Sequence, residues 1–233
     1  MKGVFITGTD TGVGKTIVTG CLAGYLSGRG YRVITQKWIH TGCDSDFPSD
    51  IRTHLELIGL RLNTIKGLLP YIAPYRFKAA CSPHLACRME HKKIVMSKII
   101  NSFKFLANQF EFVIVEGIGG ALVPFSRSHL VIDIAKELGL PVLVVAGNRL
   151  GAVNHTLLTI EALNSRKIPI HGIIFNNLEK GAGYILEDNP RIIKGLTKQK
   201  IFGVLPWQDS YQKIYKKFVP IGERVLKTVR RQF

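Results

Sequence analysis

Short apolar runs alternate along the chain with longer segments whose apolar residues recur every three or four positions. The short runs predict buried strands, and the longer segments predict helices with one face in a core. The predicted strands are residues 3–7, 33–37, 112–116, 141–146, 170–175 and 202–205. The predicted helices are residues 17–26, 49–60, 94–107, 130–138, 154–163 and 190–196, with a further helix that starts near Pro83 and a basic, helix-like segment after Trp207.

Three connecting stretches are predicted to lack regular structure. They are the polar loop 38–48, the proline-interrupted segment 69–77 and the polar connection 179–188. Ser49 and Ser82 are the expected N-caps of the helices that follow them, because serine oxygens accept from free N–H groups at a helix start. Pro83 then occupies a first helical turn, where its missing N–H costs nothing.

Most of the predicted strands are continuously apolar, which is typical of strands buried on both faces of a parallel sheet. Alternation with helices then predicts an α/β fold: a doubly wound, mostly parallel sheet with helices on both faces, similar to P-loop NTPases. At 233 residues, the chain is expected to form one domain, 1–233. Ligands of such sheets bind beyond the carboxyl ends of the strands.

The segment from Gly8 to Thr16 reads GTDTGVGKT and lies between a predicted strand and a predicted helix. That context is typical of a phosphate-binding loop, in which backbone N–H groups of the turn and of the helix start face one anion. Lys15 adds a positive charge, and the Thr16 hydroxyl can bind the Mg²⁺ that accompanies a nucleotide triphosphate. The first glycine stands one position earlier than in the common pattern, with Thr9 in its place.

Three charged residues elsewhere are candidates for the same site. Glu116 ends an apolar strand and is followed by glycines, as a magnesium-binding acid of this fold would be. Asp50 is either a third oxygen ligand or a stabilising charge at a helix start. Lys37 ends another strand and either neutralises charge on a transferred phosphoryl group or extends outwards into solvent.

The formal charge of +16 is high and is concentrated after Pro190. It suggests either nucleic-acid binding or a solvated surface that attracts anionic substrates, and the lack of a nucleic-acid-binding motif disfavours the first. The four cysteines show no metal-binding or redox spacing and are predicted to be incidental thiols. Neither a signal peptide nor a membrane span is expected, so we predict a cytoplasmic protein.

Taken together, several segments resemble the dethiobiotin synthetase family. The offset phosphate loop is similar to that of the family, and so are residues 37–42 (KWIHTG), 82–84 (SPH), 115–120 (VEGIGG) and 151–157 (GAVNHTL). Asn176 and the sequence Leu205-Pro206-Trp207 extend the resemblance to about residue 207. Single motifs of this kind are unspecific, but the set in this order is quite specific.

The resemblance implies a homodimeric ligase of biotin biosynthesis that depends on ATP and Mg²⁺. Its substrates would be 7,8-diaminononanoate, CO₂ or bicarbonate, and ATP. One amine would capture CO₂ as a carbamate, which attacks the γ-phosphate to give a carbamic-phosphoric anhydride. The second amine would then close the ureido ring and expel phosphate. Neither a membrane nor a nucleic acid is expected as a partner.

The resemblance also implies roles for particular residues. The implied catalytic residues are Lys37, Lys15 and Thr11. The implied substrate-binding residues are Thr41, Thr11, Gly151, Val153, Asn154 and Tyr184, of which the last four would hold the substrate carboxylate of the neighbouring subunit. The implied nucleotide-binding residues are Asp10, Thr11, Gly12, Val13, Gly14, Lys15, Thr16, Glu116, Gly119, Asn176, Pro206 and Gln208. The implied metal ligands are Thr16, Asp50 and Glu116.

The chain departs from the family at three points, where Gly12 replaces an acid, Trp38-Ile39 replaces Pro-Val, and Ile118 replaces alanine.

Two other classes of protein remain as alternatives. Amidoligases acting on cobyrinate-type carboxylates usually continue into a glutaminase domain, which a chain of this length is expected to lack. ParA/MinD-like ATPase switches carry an extra lysine early in the loop, where Thr9 or Asp10 stands here.

Overall fold

The computed structural model describes residues 3–43, 47–179 and 183–229. Within those residues a six-stranded sheet has the order β2-β5-β1-β6-β7-β8, and every neighbouring pair of strands is parallel. These strands are β1 (Gly3–Gly8), β2 (Val33–Lys37), β5 (Phe112–Gly120), β6 (Val142–Gly147), β7 (Ile170–Asn176) and β8 (Ile201–Leu205). The predicted doubly wound parallel sheet is therefore confirmed.

Helices separate the strands along the chain, as the sequence pattern predicts. They are α1 (Lys15–Ser27), α2 (Ser49–Ile58), α3 (Leu69–Ile72), α4 (Pro83–Met89), α5 (Met96–Gln109), α6 (Val131–Glu137), α7 (Ala152–Ser165), α8 (Gly183–Thr197) and α9 (Tyr211–Val229). A 3-10 helix, Leu62–Leu68, precedes α3, and a small parallel pair is formed by β3 (Ile39–His40) and β4 (Tyr75–Arg76).

Each face of the six-stranded sheet packs into its own hydrophobic core. In β1, Phe5 belongs to the core on one side, whereas Val4 and Ile6 belong to the core on the other, because side chains alternate along a strand. The first core includes residues of α5, α6 and α7, and the second includes residues of α1 and α9. Covering both faces explains why the strands have no polar alternation.

Parallel register brings the carboxyl ends of three strands together. Lys37 on β2 pairs with Glu116 on β5, and Glu116 in turn pairs with Ile6 on β1. Gly8, where the glycine-rich loop begins, pairs with Gly120. Residues that are distant in sequence therefore lie side by side at one edge of the sheet.

The prediction of a polar connection over residues 179–188 is wrong in its second half. Helix α8 already begins at Gly183, and residues 180–182 lie outside the described part of the chain. Glu187 and Asp188 are exposed on this helix, whereas Asn189 is buried. The polar residues cover a solvent-facing side of the helix, which the sequence pattern does not distinguish from a loop.

Pro190 lies inside α8 and needs structural compensation. A proline has no N–H to donate to the carbonyl four residues earlier, here that of Leu186. That carbonyl instead accepts a hydrogen bond of 2.9 Å from Asn148 Nδ2. Asn148 also accepts from Asn189 Nδ2 at 2.9 Å, so buried amides join α8 to the loop before α7.

Two further predictions of irregular structure are wrong in part. The segment 69–77 contains α3 and β4, and the loop 38–48 contains β3, although residues 44–46 of that loop are not described. The N-cap of α2 is Pro48 rather than Ser49, and Ser82 holds the N-cap position of α4 without a capping hydrogen bond from its side chain. Pairing between β3 and β4 is not visible in either sequence alone, because each strand has only two residues.

The basic C-terminal segment forms the amphipathic helix α9. Phe218, Ile221 and Val225 are buried against α1, whereas Lys216 and Lys217 are exposed. The segment therefore completes one of the two cores and carries its charge outwards. No helix among the described residues is both long and apolar enough to cross a membrane.

Candidate active site

The glycine-rich loop turns from β1 into α1 with two residues in the left-handed backbone region. Gly12 has φ 73° and Gly14 has φ 94°, values that glycine adopts readily. Lys15 Nζ donates to the carbonyl of Asp10 at 2.9 Å, so the lysine arches back over its own loop. This geometry presents backbone N–H groups and one ammonium to a shared position, which suits a phosphate group.

Asn176 fixes the loop from the far side. Its Nδ2 donates to the carbonyl of Val13 at 3.0 Å, and this contact joins the end of β7 to the loop. A side chain on Gly14 would collide with Asn176 Nδ2. Glycine at this position is therefore required by packing as well as by its positive φ.

A buried cluster of charged groups lies at the ends of β2 and β5. Lys37 Nζ is 2.7 Å from Glu116 Oε1 and 2.8 Å from Asp50 Oδ2, and it also donates to the carbonyl of Gly117. Lys37 and Glu116 are 4% and 2% exposed. The prediction that Lys37 either enters the ligand crevice or extends outwards is resolved in favour of the crevice.

The charges in this cluster determine one another's ionisation. Burial would lower the pKa of Lys37, but the Glu116 and Asp50 carboxylates outweigh it and raise that pKa. Burial would raise the pKa of Glu116, but Lys37 and His54 hold it below its usual range. The pKa of Asp50 is likewise held low against its burial, by His40 and Lys37. All three groups therefore remain charged at neutral pH.

Lys15 has a different balance. Burial, and to a smaller extent the positive charge of Lys37, lowers the pKa of Lys15 to about 8. The nearby carboxylates only partly offset these two effects. An anion bound in the loop would place a further negative charge beside Lys15 and favour its charged form.

The three predicted metal ligands lie around this cluster. Thr16 Oγ1 donates to Glu116 Oε1 at 3.0 Å, and Asp50 shares the Lys37 ammonium with Glu116. Hydroxyl and carboxylate oxygens are the donors that Mg²⁺ prefers. No group of three or more histidine, cysteine or acidic side chains suited to a metal occurs within the described ranges. Thr16, Asp50 and Glu116 supply hydroxyl and carboxylate donors of the preferred kind, so the residues present fit a magnesium ion.

A cavity of about 470 Å³ opens beside the loop. Most of the predicted site residues line it: Thr11, Gly12, Gly14, Lys15, Thr16, Lys37, Thr41, Asp50, Glu116 and Gly119. The cavity therefore extends from the phosphate loop, past the Lys37 cluster, to the segment after β3. It brings together residues from five separate stretches of sequence.

Other predicted site residues lie outside this cavity. Gly151, Val153 and Asn154 are at the start of α7, and Tyr184, which is 77% exposed, is on α8. The loop before α7 is nevertheless linked to the phosphate loop, because Arg149 forms an ion pair with Asp10 at 3.0 Å. Pro206 and Gln208 follow β8.

Sequence reasoning missed two histidines of the site. His40 lines the cavity, with Nδ1 3.5 Å from Asp50 Oδ2, and His54 Nε2 is 2.7 Å from Glu116 Oε2. A signal for His54 was present, since it lies four residues after Asp50 and thus on the same face of α2. His40 lies inside the 37–42 segment beside the predicted residue Thr41, but no spacing assigned it a role, and it reaches the site through the short strand β3.

The departures from the family pattern have clear positions. Trp38 is buried, stacks on Phe5 with ring centroids 5.0 Å apart, and donates from Nε1 to Gln36 at 2.8 Å. These contacts anchor Trp38, the residue directly after Lys37, in the core. Ile118 is partly buried and lines the cavity, and Gly12 is exposed in the loop.

This fold and this loop define a P-loop nucleotide-binding protein. A family model described as an AAA domain matches residues 2–214. The ATP-dependent dethiobiotin synthetase BioD 2 of Haemophilus ducreyi is 40% identical over 187 residues, which are 80% of this chain and 85% of that protein. The ATP-dependent dethiobiotin synthetase BioD of Thermodesulfovibrio yellowstonii is 36% identical over 240 residues, covering 97% of this chain and 95% of that protein.

The chain belongs to the dethiobiotin synthetase family, and it is an ATP-dependent ligase of biotin biosynthesis. Among solved structures, pNOB8 ParA bound to nonspecific DNA matches with a TM-score of 0.65 and 13% identity, over 100% of this chain and 99% of that one. The MinC:MinD complex of Aquifex aeolicus matches with a TM-score of 0.58 and 16% identity, over 100% and 96%. At these identities, the likeness to ParA and MinD shows a shared fold alone.

Gly14 and Gly12 provide a matched test of the phosphate loop. Alanine at either position must adopt a positive φ, at a cost of about 1–2 kcal/mol. Only at Gly14 would the added methyl group also displace Asn176, since no described atom outside the two adjacent residues lies within 4 Å of a Cβ at Gly12. Gly14→Ala should therefore weaken binding of a non-hydrolysable ATP analogue about tenfold more than Gly12→Ala does, measured by calorimetry. Equal affinities for the two variants would show that the Asn176 contact does not support the loop.

Proposed function

We propose that the chain joins CO₂ to 7,8-diaminononanoate at the expense of ATP and closes the cyclic urea of dethiobiotin. The observation that carries this proposal is the Lys37 ammonium, held between Asp50 and Glu116 beside the phosphate loop. The reaction crowds a carbamate against a triphosphate, and a fixed cation at that point would offset the repulsion. The membership of the chain in the dethiobiotin synthetase family supports the same substrates.

In the proposed sequence, one amine of the diamine adds to CO₂ and loses a proton to give a carbamate. A carbamate oxygen then attacks the γ-phosphorus of ATP, and ADP leaves. The second amine attacks the carbonyl carbon of the resulting mixed anhydride, loses a proton and expels phosphate. No covalent bond to the protein is needed, because positioning and charge stabilisation account for most of the catalysis of phosphoryl transfer.

Residues of the loop and of the cavity share this work. The N–H groups of residues 12–16 and the Lys15 ammonium bind the phosphates of ATP. The Lys37 ammonium is placed to stabilise negative charge on the γ-phosphate as it is transferred to the carbamate. Thr11 and Thr41 line the same cavity and supply hydroxyl groups for the carbamate or the amine.

Thr16, Asp50 and Glu116 would hold the magnesium ion of the proposed reaction. When bound, the ion neutralises charge on the phosphate oxygens. Lys37 Nζ lies 2.8 Å from Asp50 Oδ2 and 2.7 Å from Glu116 Oε1, so those oxygens are already oriented towards a cation.

Asn176, Pro206 and Gln208 are proposed to contact the adenine. Asn176 joins the end of β7 to the phosphate loop. Its amide therefore lies on the side of the loop towards which the adenine of a bound ATP would extend. Pro206 and Gln208 follow the adjacent strand β8, which pairs with β7 at Asn176 and Leu205. The strand order therefore supports a base site on this side of the loop.

A reaction that consumes ATP is proposed to take place in the cytoplasm.

A homodimer is proposed to complete the site. Gly151, Val153 and Asn154 begin α7, whose free N–H groups suit the carboxylate of the substrate, and Tyr184 is proposed to join them. Beside them, Leu150 is 85% exposed, so this region is open to contact with a second copy of the chain. The carboxylate would then bind to one subunit while the amines react in the cavity of the other.

The substrate requirement tests the proposed reaction directly. Purified protein should release ADP only when the diamine, bicarbonate and Mg²⁺ are all present, because ATP alone has no acceptor in the cavity. A coupled ADP assay that omits each component in turn measures this. ATP turnover that ignores the diamine but increases with DNA or liposomes would contradict the ligase and favour an ATPase switch.

Complementation between two inactive variants tests the shared site. Lys15→Ala removes the phosphate-binding cation, and Asn154→Asp adds a negative charge where the substrate carboxylate should bind. If each site draws these residues from different subunits, a mixed dimer contains one intact site. Mixing and refolding equal amounts should then recover about a quarter of wild-type turnover.

Each variant alone, treated in the same way, is the control and should remain inactive. Asn154→Asp should fold normally, because a carboxylate at the start of α7 is favourable for a helix. If the mixture stays as inactive as its components, each site lies within one subunit and the dimer proposal is wrong.

A further inference from the structure

Among the described residues, His54 is the most deeply buried ionisable side chain beside the cavity, and the proposed reaction gives it no role. It is fully buried on α2, and its Nε2 lies 2.7 Å from Glu116 Oε2. A carboxylate can only accept, so the imidazole is the donor in this hydrogen bond. The other nitrogen, Nδ1, is buried and has no hydrogen-bond partner within the described ranges.

The two oxygens of Glu116 therefore have separate partners. Oε1 accepts from Thr16 and from Lys37, at 3.0 Å and 2.7 Å, on the side of the cavity. Oε2 accepts from His54 on the side of α2. A carboxylate held at both oxygens cannot rotate, so Oε1 stays directed at the proposed metal position.

Close packing of α2 on α1 makes this contact possible. Thr16, Gly20 and Gly24 recur at intervals of four residues and thus share one face of α1. A Cβ at Gly20 would lie 3.2 Å from the Cα of His54, and one at Gly24 would lie 2.6 Å from the carbonyl of Leu57. Larger residues at these positions would push α2 outwards and withdraw His54 from Glu116. The same face of α1 that presents Thr16 to the site thus admits the helix that carries His54.

We propose that His54 is a positioning residue that orients the Glu116 carboxylate for the magnesium ion. The proposal rests on the magnesium site of the proposed function. Groups that hydrogen-bond to a ligand fix its orientation, and their loss typically weakens metal binding about 10–100-fold. A buried imidazole that only filled the core would not need a donor directed at a carboxylate, and leucine would replace it without penalty.

Metal-dependent nucleotide binding separates these two roles without using turnover. The affinity for a non-hydrolysable ATP analogue is measured by calorimetry in Mg²⁺ and in excess EDTA, for wild type and for His54→Leu. The dissociation constant in EDTA divided by that in Mg²⁺ reports the contribution of the metal alone. His54→Leu should reduce this ratio at least about tenfold and leave the affinity in EDTA unchanged.

Conservative variants identify the atom involved. Glutamine places an amide near the position of Nε2, so His54→Gln should keep the ratio within about threefold of wild type. Asparagine ends near Nδ1 and cannot reach Glu116, so His54→Asn should resemble His54→Leu, and it supplies the test if the leucine variant does not fold. His171→Leu is the matched control, because His171 is also buried but packs on Phe202 away from the cavity, and both affinities should match wild type.

A double-mutant cycle tests whether His54 acts through Glu116. In a Glu116→Gln background, His54→Leu should have little further effect on the ratio. A wild-type affinity that ignores Mg²⁺ would refute the proposed metal site and the role of His54 with it. A Mg²⁺-dependent wild type with an unchanged ratio in folded His54→Leu or His54→Asn would overturn the role of His54 alone, as would an equal loss of affinity in Mg²⁺ and EDTA.

Discussion

The ammonium of Lys37, buried between two carboxylates, is the interaction on which the site depends. Removing an ammonium and a carboxylate from water costs several kcal/mol for each ion, and their attraction repays this only when the geometry is good. At 2.7 Å and 2.8 Å from its two partners, Lys37 meets that condition. Such a cluster is weak evidence for added stability. Its position beside a phosphate loop gives it a chemical purpose instead.

The parallel sheet supplies the geometry that this cluster needs. Register between β2 and β5 places Lys37 next to Glu116, and β1 continues into the loop on the other side of Glu116. Helix α2 adds Asp50 and His54 from the same face, and it can do so because glycines on α1 permit a close approach. The sheet and one helix contact therefore hold the Lys37 ammonium and two carboxylates in fixed positions before any substrate arrives. Catalysis by electrostatic stabilisation requires such preorganisation.

Much of this arrangement could be predicted from the sequence, because the strands are continuously apolar and end in charged or glycine residues. All six strands of the main sheet, the phosphate loop and the convergence of Lys37, Glu116 and Thr16 follow from that pattern. Helix α8 was predicted to start too late, because exposed Glu187 and Asp188 look like a loop and Pro190 looks like a boundary. Its compensation by Asn148 depends on tertiary contacts that are invisible in a linear pattern.

The two histidines of the site that were not predicted, His54 and His40, also depend on contacts made only in the folded chain. His54 could have been found from its spacing of four residues after Asp50, whereas His40 depends on β3, a strand of two residues that pairs only in the folded chain. Hydrogen bonds to a carboxylate are set by side-chain direction in three dimensions. Sequence spacing predicts which residues share a face, and it does not predict which oxygen each one contacts.

Kinetics of Lys37→Met test the central claim most directly, because methionine keeps the apolar stem and removes only the charge. Turnover is measured with saturating ATP, diamine, bicarbonate and Mg²⁺, and Lys104→Met, at an exposed position on α5, is the control. A lysine that stabilises developing charge predicts a loss of turnover of at least about 100-fold in Lys37→Met and little change in Lys104→Met. Turnover of a folded Lys37→Met close to that of wild type would contradict the account.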